Sequence, residues 1–259
     1  MATVHEIEQS LFSWAPRESA MDWDNVGHLV GDPEREVTRV LVALDITERV
    51  AREAIDLGAQ LIVSHHPVMN VRWHEHEMQT LRSDTRLGGL LTMLVKNDVS
   101  AICMHTNLDA ADGGVNDCLA KKLGLNDVFS LNDEKIGRIG TLSCEKGLEE
   151  FLRDVIESLG CGGLRYRSGS GRVHRVAVGG GACGEYIPQA IAQGCDTFVT
   201  SDLRYNDFLD TQGLNLIDAG HFPTENVVCP AIAAYLKAHF PEVQTVISTS
   251  HRDVIQYYL

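Results

Sequence analysis

His65 and His66 close the apolar run Leu61-Ile62-Val63-Ser64 and are followed at once by Pro67, which places two imidazoles in extended backbone at a strand tip. Successive side chains of an extended chain point to opposite sides, and the residue before a proline is driven toward β or polyproline geometry. The two rings therefore diverge and address two different atoms, as a dinuclear metal site requires. For the dipeptide alone, a loop that merely carries two histidines is the favoured reading.

Further ligands are supplied by an internal duplication. Arg39-Val40-Leu41-Val42, Ala54-Ile55, Gly58 and the run from Leu61 to Ser64 recur as Arg175-Val176-Ala177-Val178, Ala190-Ile191, Gly194 and the run from Thr197 to Thr200. The offset is a constant 136 residues (175 − 39, 191 − 55, 194 − 58). On this register Ser201 and Asp202 take the places of His65 and His66. A second correspondence follows, where Ala101-Ile102-Cys103 and the run from Leu214 to Ile217 each lead into a histidine-bearing loop. His105 precedes Asp109 by four residues and His221 precedes Glu225 by four, at an offset of 116 (221 − 105, 225 − 109). The first half thus carries 20 additional residues (136 − 116), placed most simply in the loop with Trp73, His74 and His76. Self-similarity at this scale implies paired supersecondary units, and a site at their junction would collect ligands from both.

The elements that must position these side chains alternate. Strands are predicted at 40–44, 61–63, 101–103, 136–142, 173–178, 197–200, 214–217, 243–248 and 254–259, and helices at 4–14, 47–57, 87–96, 115–123, 148–159, 188–193, 206–211 and 226–239. This order implies an α/β fold with largely parallel central strands. The expectation is two related α/β halves, residues 1–125 and 126–259, in a three-layer arrangement with the metal site between them. Ligands at strand ends fit that architecture, because open α/β sheets bind beyond the carboxyl ends of their strands.

Composition narrows the function classes. With 259 residues, 44% of them apolar, the chain can bury one large core or two modest ones. No run approaches the length of a membrane span, and Met1-Ala2-Thr3-Val4-His5 lacks a signal pattern, so a cytoplasmic protein without a membrane partner is expected. The seven cysteines are odd in number and without Cys-x-x-Cys spacing, which suits reduced, buried thiols and excludes a zinc finger. A net charge of −14 argues against nucleic acid as the main partner. Two bound dications would invert the local field, so a small anionic substrate is compatible with the acidity. Arg138 and Arg204 are candidates for contacting such an anion, and Gly179-Gly180-Gly181 is either a close-approach loop or a plain turn. A serine hydrolase is excluded for want of a Gly-x-Ser-x-Gly elbow.

Six blocks carry a family resemblance: Asp24-Asn25-Val26-Gly27, Ser64-His65-His66-Pro67, His105-Thr106-Asn107-Leu108-Asp109, Gly137-Arg138-Ile139-Gly140, Thr200-Ser201-Asp202 and Asp218-Ala219-Gly220-His221-Phe222-Pro223-Thr224-Glu225. Together they resemble the GTP cyclohydrolase I type 2 homologues, dinuclear metal proteins related to the yeast Ngg-interacting factor, in the compact form without an inserted domain. The resemblance implies two divalent cations and assembly into a toroidal homohexamer. Carried over by motif, one cation is held by His66, Asp109 and Glu225 and the other by His65, His221 and Glu225, with Glu225 bridging. His105 is placed behind the ligands, orienting Asp109, while Asp202 and Tyr205 lie at the mouth as catalytic candidates. Imidazole and carboxylate suit Zn, Mn, Fe, Co or Ni.

Departures from the family pattern are Asn206, where relatives often carry histidine, Ser201, where glycine is usual, and His28, where relatives tend to have leucine. Two cations about 3.5–4 Å apart activate water and stabilise attacking and leaving oxygens, so the reaction class implied is hydrolysis of a nucleotide, cyclic amide or phosphoester. The family name implies ring opening of GTP, yet no Gly-x-x-x-x-Gly-Lys-Ser/Thr loop is present. A regulatory or interaction protein, or a metal-handling protein, with a structural di-metal site is the alternative. Whether Trp23, His74 and His76 touch a ligand is left open by the sequence.

Overall fold

The computed structural model describes residues 2–69 and 80–258. Within it the chain forms two compact α/β units, one of the residues up to Ala111 together with Cys229–Arg252, the other of Asp112–Val228 with the residues from Asp253 onward. The expected division at residue 125 is therefore not a single cut. The helix Cys229–His239 and the strand Gln244–Ile247 return to the first unit, where the strand pairs in parallel with Arg39–Ala43. The Arg39 guanidinium fixes that edge by donating to Gln244 Oε1 at 2.9 and 2.7 Å.

The sheet of the first unit runs Gln244–Ile247, Arg39–Ala43, Leu61–Ser64, Ser100–Cys103, Gly27–Val30, with the last strand antiparallel and the others parallel. The two strands Leu61–Ser64 and Ser100–Cys103 are buried at every position, as a sheet covered on both faces demands. Ala43 pairs with Ser64 and Ser64 with Cys103, so three strands end level and the residues after them emerge along one edge. Helices Glu48–Asp56 and Arg86–Lys96 are started by Thr47 and Thr85, whose hydroxyls accept from Val50 N and Gly88 N. They bury Val50, Ala51, Ala54 and Leu94 against Leu41 and Ile62. Each large side chain so buried contributes about 1.5–3 kcal/mol to holding the strand tips in place. Val4–Trp14 begins with a reciprocal Thr3/Glu6 cap.

In the second unit the order is Asn126–Ser130, Arg138–Gly147, Arg172–Val178, Thr197–Thr200, Asn215–Asp218, Arg165–Arg167, with the central three parallel. Val176, Val178, Val199 and Ile217 share its core with Phe151 and Leu119. The duplication is visible in the registers: Val40 pairs with Leu61 as Val176 pairs with Thr197, and Ser64 with Cys103 as Thr200 with Asp218. Matching the third strands, Ser100 with Asn215, gives an offset of 115 (215 − 100), one less than at the histidines. The additional residue lies between Asp218 and His221, where Gly220 takes a φ of 88° that favours glycine.

Among the described residues five strands were not legible in the hydropathy pattern, two of them the two-residue pair Ala2–Thr3 and Glu36–Val37. Gly27–Val30 is broken by a register shift, Asn126–Ser130 lies largely exposed, and Arg165–Arg167 is a polar edge. Conversely, the apolar run 254–258 forms no strand, and Val254 and Tyr258 are exposed. Strand propensity measures fit to a half-buried pleated surface rather than a backbone preference.

Candidate metal centre

In the first unit the hydrogen-bond ladder continues past the strand ends. His65 N donates to Ala43 O at 3.3 Å, His66 N to Leu44 O at 2.9 Å and Met104 N to Ser64 O at 2.9 Å, which fixes the backbone under both adjacent histidines. The His65 ring is wholly buried and its Nδ1 lies 2.8 Å from Met104 O. A carbonyl oxygen only accepts, so Nδ1 carries the proton and Nε2 presents its lone pair. The same reasoning applies to His66, with Nδ1 2.7 Å from Asp45 Oδ1, and to His105, with Nδ1 2.8 Å from Asp24 Oδ1. The three rings converge, with centroids 5.0, 5.2 and 5.6 Å apart, and each offers a nitrogen within 4.8 Å of the others.

His105 caps the short helix Thr106–Ala110, which carries Asp109, and Asp109 Oδ1 lies 3.6 Å from His65 Nε2. The sequence expectation joined Asp109 to His66 and put His105 behind the ligands; in the fold it is His65 that faces Asp109, and the His105 ring stands beside His65 and His66. Asp24 also accepts from Thr106 N at 3.0 Å and Thr106 Oγ1 at 2.6 Å. Burial raises the Asp24 pKa, but the donors from His105 and Thr106 outweigh it and hold the carboxyl down at about 2. Burial likewise opposes ionisation of Asp45, and hydrogen bonds from His251 and His66 keep it well below the usual carboxylate range. Cys103, whose Sγ donates to His65 O at 3.0 Å, is pushed up by burial and by Asp24 and Asp109. The groups able to hold a metal among the described residues are made of histidine, aspartate and glutamate, so the donors are nitrogen and oxygen.

The second unit brings together Asp202, His221 and Glu225. His221 Nδ1 lies 2.5 Å from Asp202 Oδ2 and its Nε2 2.9 Å from Glu225 Oε2. Burial lowers the His221 pKa, but the two carboxylates prevail and push it up to about 11. A proton and a cation are thus alternatives on this imidazole, so cation binding there releases a proton. Asp202 occupies the left-handed region at φ 54°, which Asp tolerates better than most residues. The glycine loop closes on Glu225: a Cβ on Gly181, at φ +66°, would fall 2.1 Å from Glu225 Oε1. Its amides are already engaged, Gly180 N with Asn116 Oδ1 at 2.9 Å and Gly181 N with Thr224 Oγ1 at 3.1 Å. The loop therefore shapes the surroundings of Glu225 and is not a phosphate cradle.

The remaining candidates divide. Arg138 is buried, with its guanidinium donating to Asp117 Oδ1 at 2.6 Å and to the carbonyls of Lys135 and Gly137, so its part is structural. Arg204 is exposed and pairs with Asp207. Tyr205, at the start of Tyr205–Asp210, projects into solvent at 75% exposure, and Asn206 follows it on the same helix. His28 Nε2 bonds to Val30 O at 2.7 Å, within its own strand. Trp23 stands edge-on to His105 with centroids 6.0 Å apart. Trp73, His74 and His76 lie outside the described residues.

Sequence reasoning missed Asp24 and Asp45 as imidazole partners, and it missed His251, whose Nε2 lies 3.0 Å from Asp45 Oδ2. Asp45 had a signal, being an acidic residue just past the tip of Arg39–Ala43, beside the strand that carries the two histidines.

Comparison with known proteins matches residues 2–254 to the family model described as Duf34/NIF3 (NGG1p interacting factor 3). A protein of Clostridium perfringens named GTP cyclohydrolase 1 type 2 homolog is 34% identical over 264 residues, spanning 98% of this chain and 99% of its own. One of the same name from Streptomyces coelicolor is 34% identical over 250 residues, 91% of this chain and 86% of its own. Among solved structures, a Bacillus cereus protein related to NIF3 superposes with a TM-score of 0.91 at 25% identity, covering 100% of this chain and 99% of that one. A hypothetical protein of Staphylococcus aureus gives 0.89 at 28% identity, with 99% of each chain covered.

Proposed function

This chain belongs to the Duf34/NIF3 family, and from that premise we propose that it holds two divalent cations and hydrolyses a small anionic substrate. The observation that carries the reading is the donor set. Four imidazoles, His65, His66, His105 and His221, each have Nδ1 on an oxygen acceptor and so present Nε2. Carboxylate or carbonyl partners of this kind fix the tautomer and raise the basicity of metal-binding histidines.

Asp109 goes with His65, as their 3.6 Å separation favours. That assigns His66 and His221 to the second cation, with Glu225 bridging and His105 as a further nitrogen on the side of His65 and His66. With imidazole and carboxylate donors, the site suits Zn, Mn, Fe, Co or Ni. When bound, such a pair supplies Lewis-acid polarisation and acidifies water.

The chain's own groups do the rest. Asp202 fixes the His221 ring, Gly181 leaves room for Glu225, and the exposed Tyr205 phenol offers a hydrogen bond to substrate. The substrate classes are a nucleotide, a cyclic amide or a phosphoester. The engaged amides of residues 179–181 count against that loop as the holder of a triphosphate, so GTP is one member of the class rather than its centre. Family likeness also supports a toroidal homohexamer in the cytoplasm; among the described residues no helix is long and apolar enough to cross a membrane.

The test is metal analysis joined to a hydrolase panel that includes GTP, on wild type and Glu225→Gln. Two cations per chain, with turnover abolished by chelation and by Glu225→Gln at unchanged circular dichroism, are expected. Turnover indifferent to chelator would overturn the catalytic reading, and folded wild type that takes up no cation would overturn the metal reading as well.

A further inference from the structure

We infer that His251 is a positioning residue for the metal ligand His66, acting through Asp45, and that the segment from Ser248 to His251 is built to deliver it. This rests on the proposal that His66 binds a cation. The Asp45 carboxylate is shared: Oδ1 accepts from His66 Nδ1 at 2.7 Å, and Oδ2 lies 3.0 Å from His251 Nε2. The other Nδ1 acceptors of the first unit are steadied differently. Met104 O is a backbone carbonyl, and Asp24 is gripped by Thr106 N and Oγ1. Asp45 has a side chain 41% exposed, so its rotamer needs a second anchor before it can orient His66, and the His251 ring, with a side chain only 6% exposed, supplies it.

The delivery is equally specific. Beyond the strand Gln244–Ile247, a single carboxylate, Glu53, takes the Ser248 hydroxyl, Thr249 N and Oγ1 at 2.9 Å each, and Ser250 N at 3.2 Å. His251 N then donates to Ser248 Oγ at 3.1 Å. Glu53 alone would be enough to pin this segment against the first unit. Setting an imidazole on the carboxylate behind a ligand goes further, since partners of ligating histidines govern ring orientation and basicity.

The experiment loads metal-depleted full-length protein with Co²⁺, followed by visible absorption, and then competes with Zn²⁺, for wild type, His251→Ala, His251→Gln, Asp45→Asn and His66→Ala. His251→Ala is expected to weaken one of two sites about 10–100-fold and to alter the cobalt spectrum of that site. His251→Gln, whose amide nitrogen reaches where Nε2 stood, is expected to restore most of both, and a merely structural tail would show neither the spectral change nor the rescue. Asp45→Asn should weaken the same site, and combining it with His251→Ala should add little further loss.

Wild-type affinity and spectrum in His251→Ala, while His66→Ala loses a site, would overturn this inference and leave the metal reading standing. Unchanged binding in His66→Ala would instead remove His66 from the ligands. Should His251→Ala fail to fold, His251→Phe decides, since it fills the same space but donates nothing to Asp45 Oδ2, and a wild-type affinity and spectrum in that variant contradict the coupling.

Discussion

The two units use one scaffold for opposite purposes. In the first, the strand Leu61–Ser64 ends in two imidazoles, and the carboxylate that holds His66 comes from beyond the neighbouring strand, at Asp45. In the second, the equivalent strand Thr197–Thr200 ends in Ser201 and Asp202, and it is the imidazole, His221, that comes from beyond a neighbouring strand. On the 136-residue register Asp202 stands where His66 stands (202 − 66). Where one copy places a ring, the other places the carboxylate that holds a ring. Duplication kept the registers and the level ends of the three central strands, and the side chains that distinguish the two clusters stand just past them. Rigid strand ends position such side chains more closely than loops do.

The sharpest way to break this comparison is at Gly181, whose missing Cβ makes room for Glu225. Gly181→Ala must adopt a left-handed φ, costing about 1–2 kcal/mol, and must displace the Glu225 carboxylate, so loss of cation uptake is expected from metal titration even where the protein folds.

Next in size is a paired substitution of the carboxylates that hold imidazoles. Asp24→Ala leaves buried donors from Thr106 and His105 without their acceptor and is expected to cost about 2–4 kcal/mol in denaturant unfolding, at about 1–3 kcal/mol for each group so abandoned. Asp202→Ala, at a site half open to water, is expected to cost less than about 1 kcal/mol while weakening cation binding about 10–100-fold. Equal stability losses would show that the two partners are not used differently.

The comparison extends to pH in chelated protein. Asp24 is depressed from 3.8 to about 2, so its contribution to stability is present above pH 3.8 and is lost as pH falls through about 2. His221 is raised from 6.5 to about 11, so its contribution is present below pH 6.5 and is lost as pH rises through about 11. Hydrogen exchange followed by unit should show the first loosening in acid and the second in alkali; the reverse order would contradict the assigned partners. The smallest effect is expected at Arg204→Ala, whose pair with Asp207 is exposed and screened by water, read as a nearly unchanged unfolding midpoint.

Local sequence carried much of this. Short apolar stretches marked the strands Leu61–Ser64 and Thr197–Thr200, and the histidines and carboxylates just past such stretches were visible because they follow them directly in the chain. Hidden features depended on contacts between distant positions. Asp24 meets His105 across 81 residues, and His251 reaches Asp45 from the far end of the sequence, which no periodicity reports. The loops after the third strands were also read as irregular, whereas Thr106–Ala110 and His221–Glu225 are short helices. Runs of five residues carry too few turns for a helical period to show. The one-residue difference at Gly220 was concealed because the histidines align at 116 while the strands align at 115 (215 − 100).

The central claim is that side chains from both copies hold two cations with Glu225 shared. Anomalous diffraction from metal-loaded crystals, collected on both sides of the metal's absorption edge, tests it most directly. The account predicts two peaks, one beside His65 and Asp109, the other beside His66 and His221, each in contact with Glu225. A single peak, or peaks away from Glu225, would contradict it.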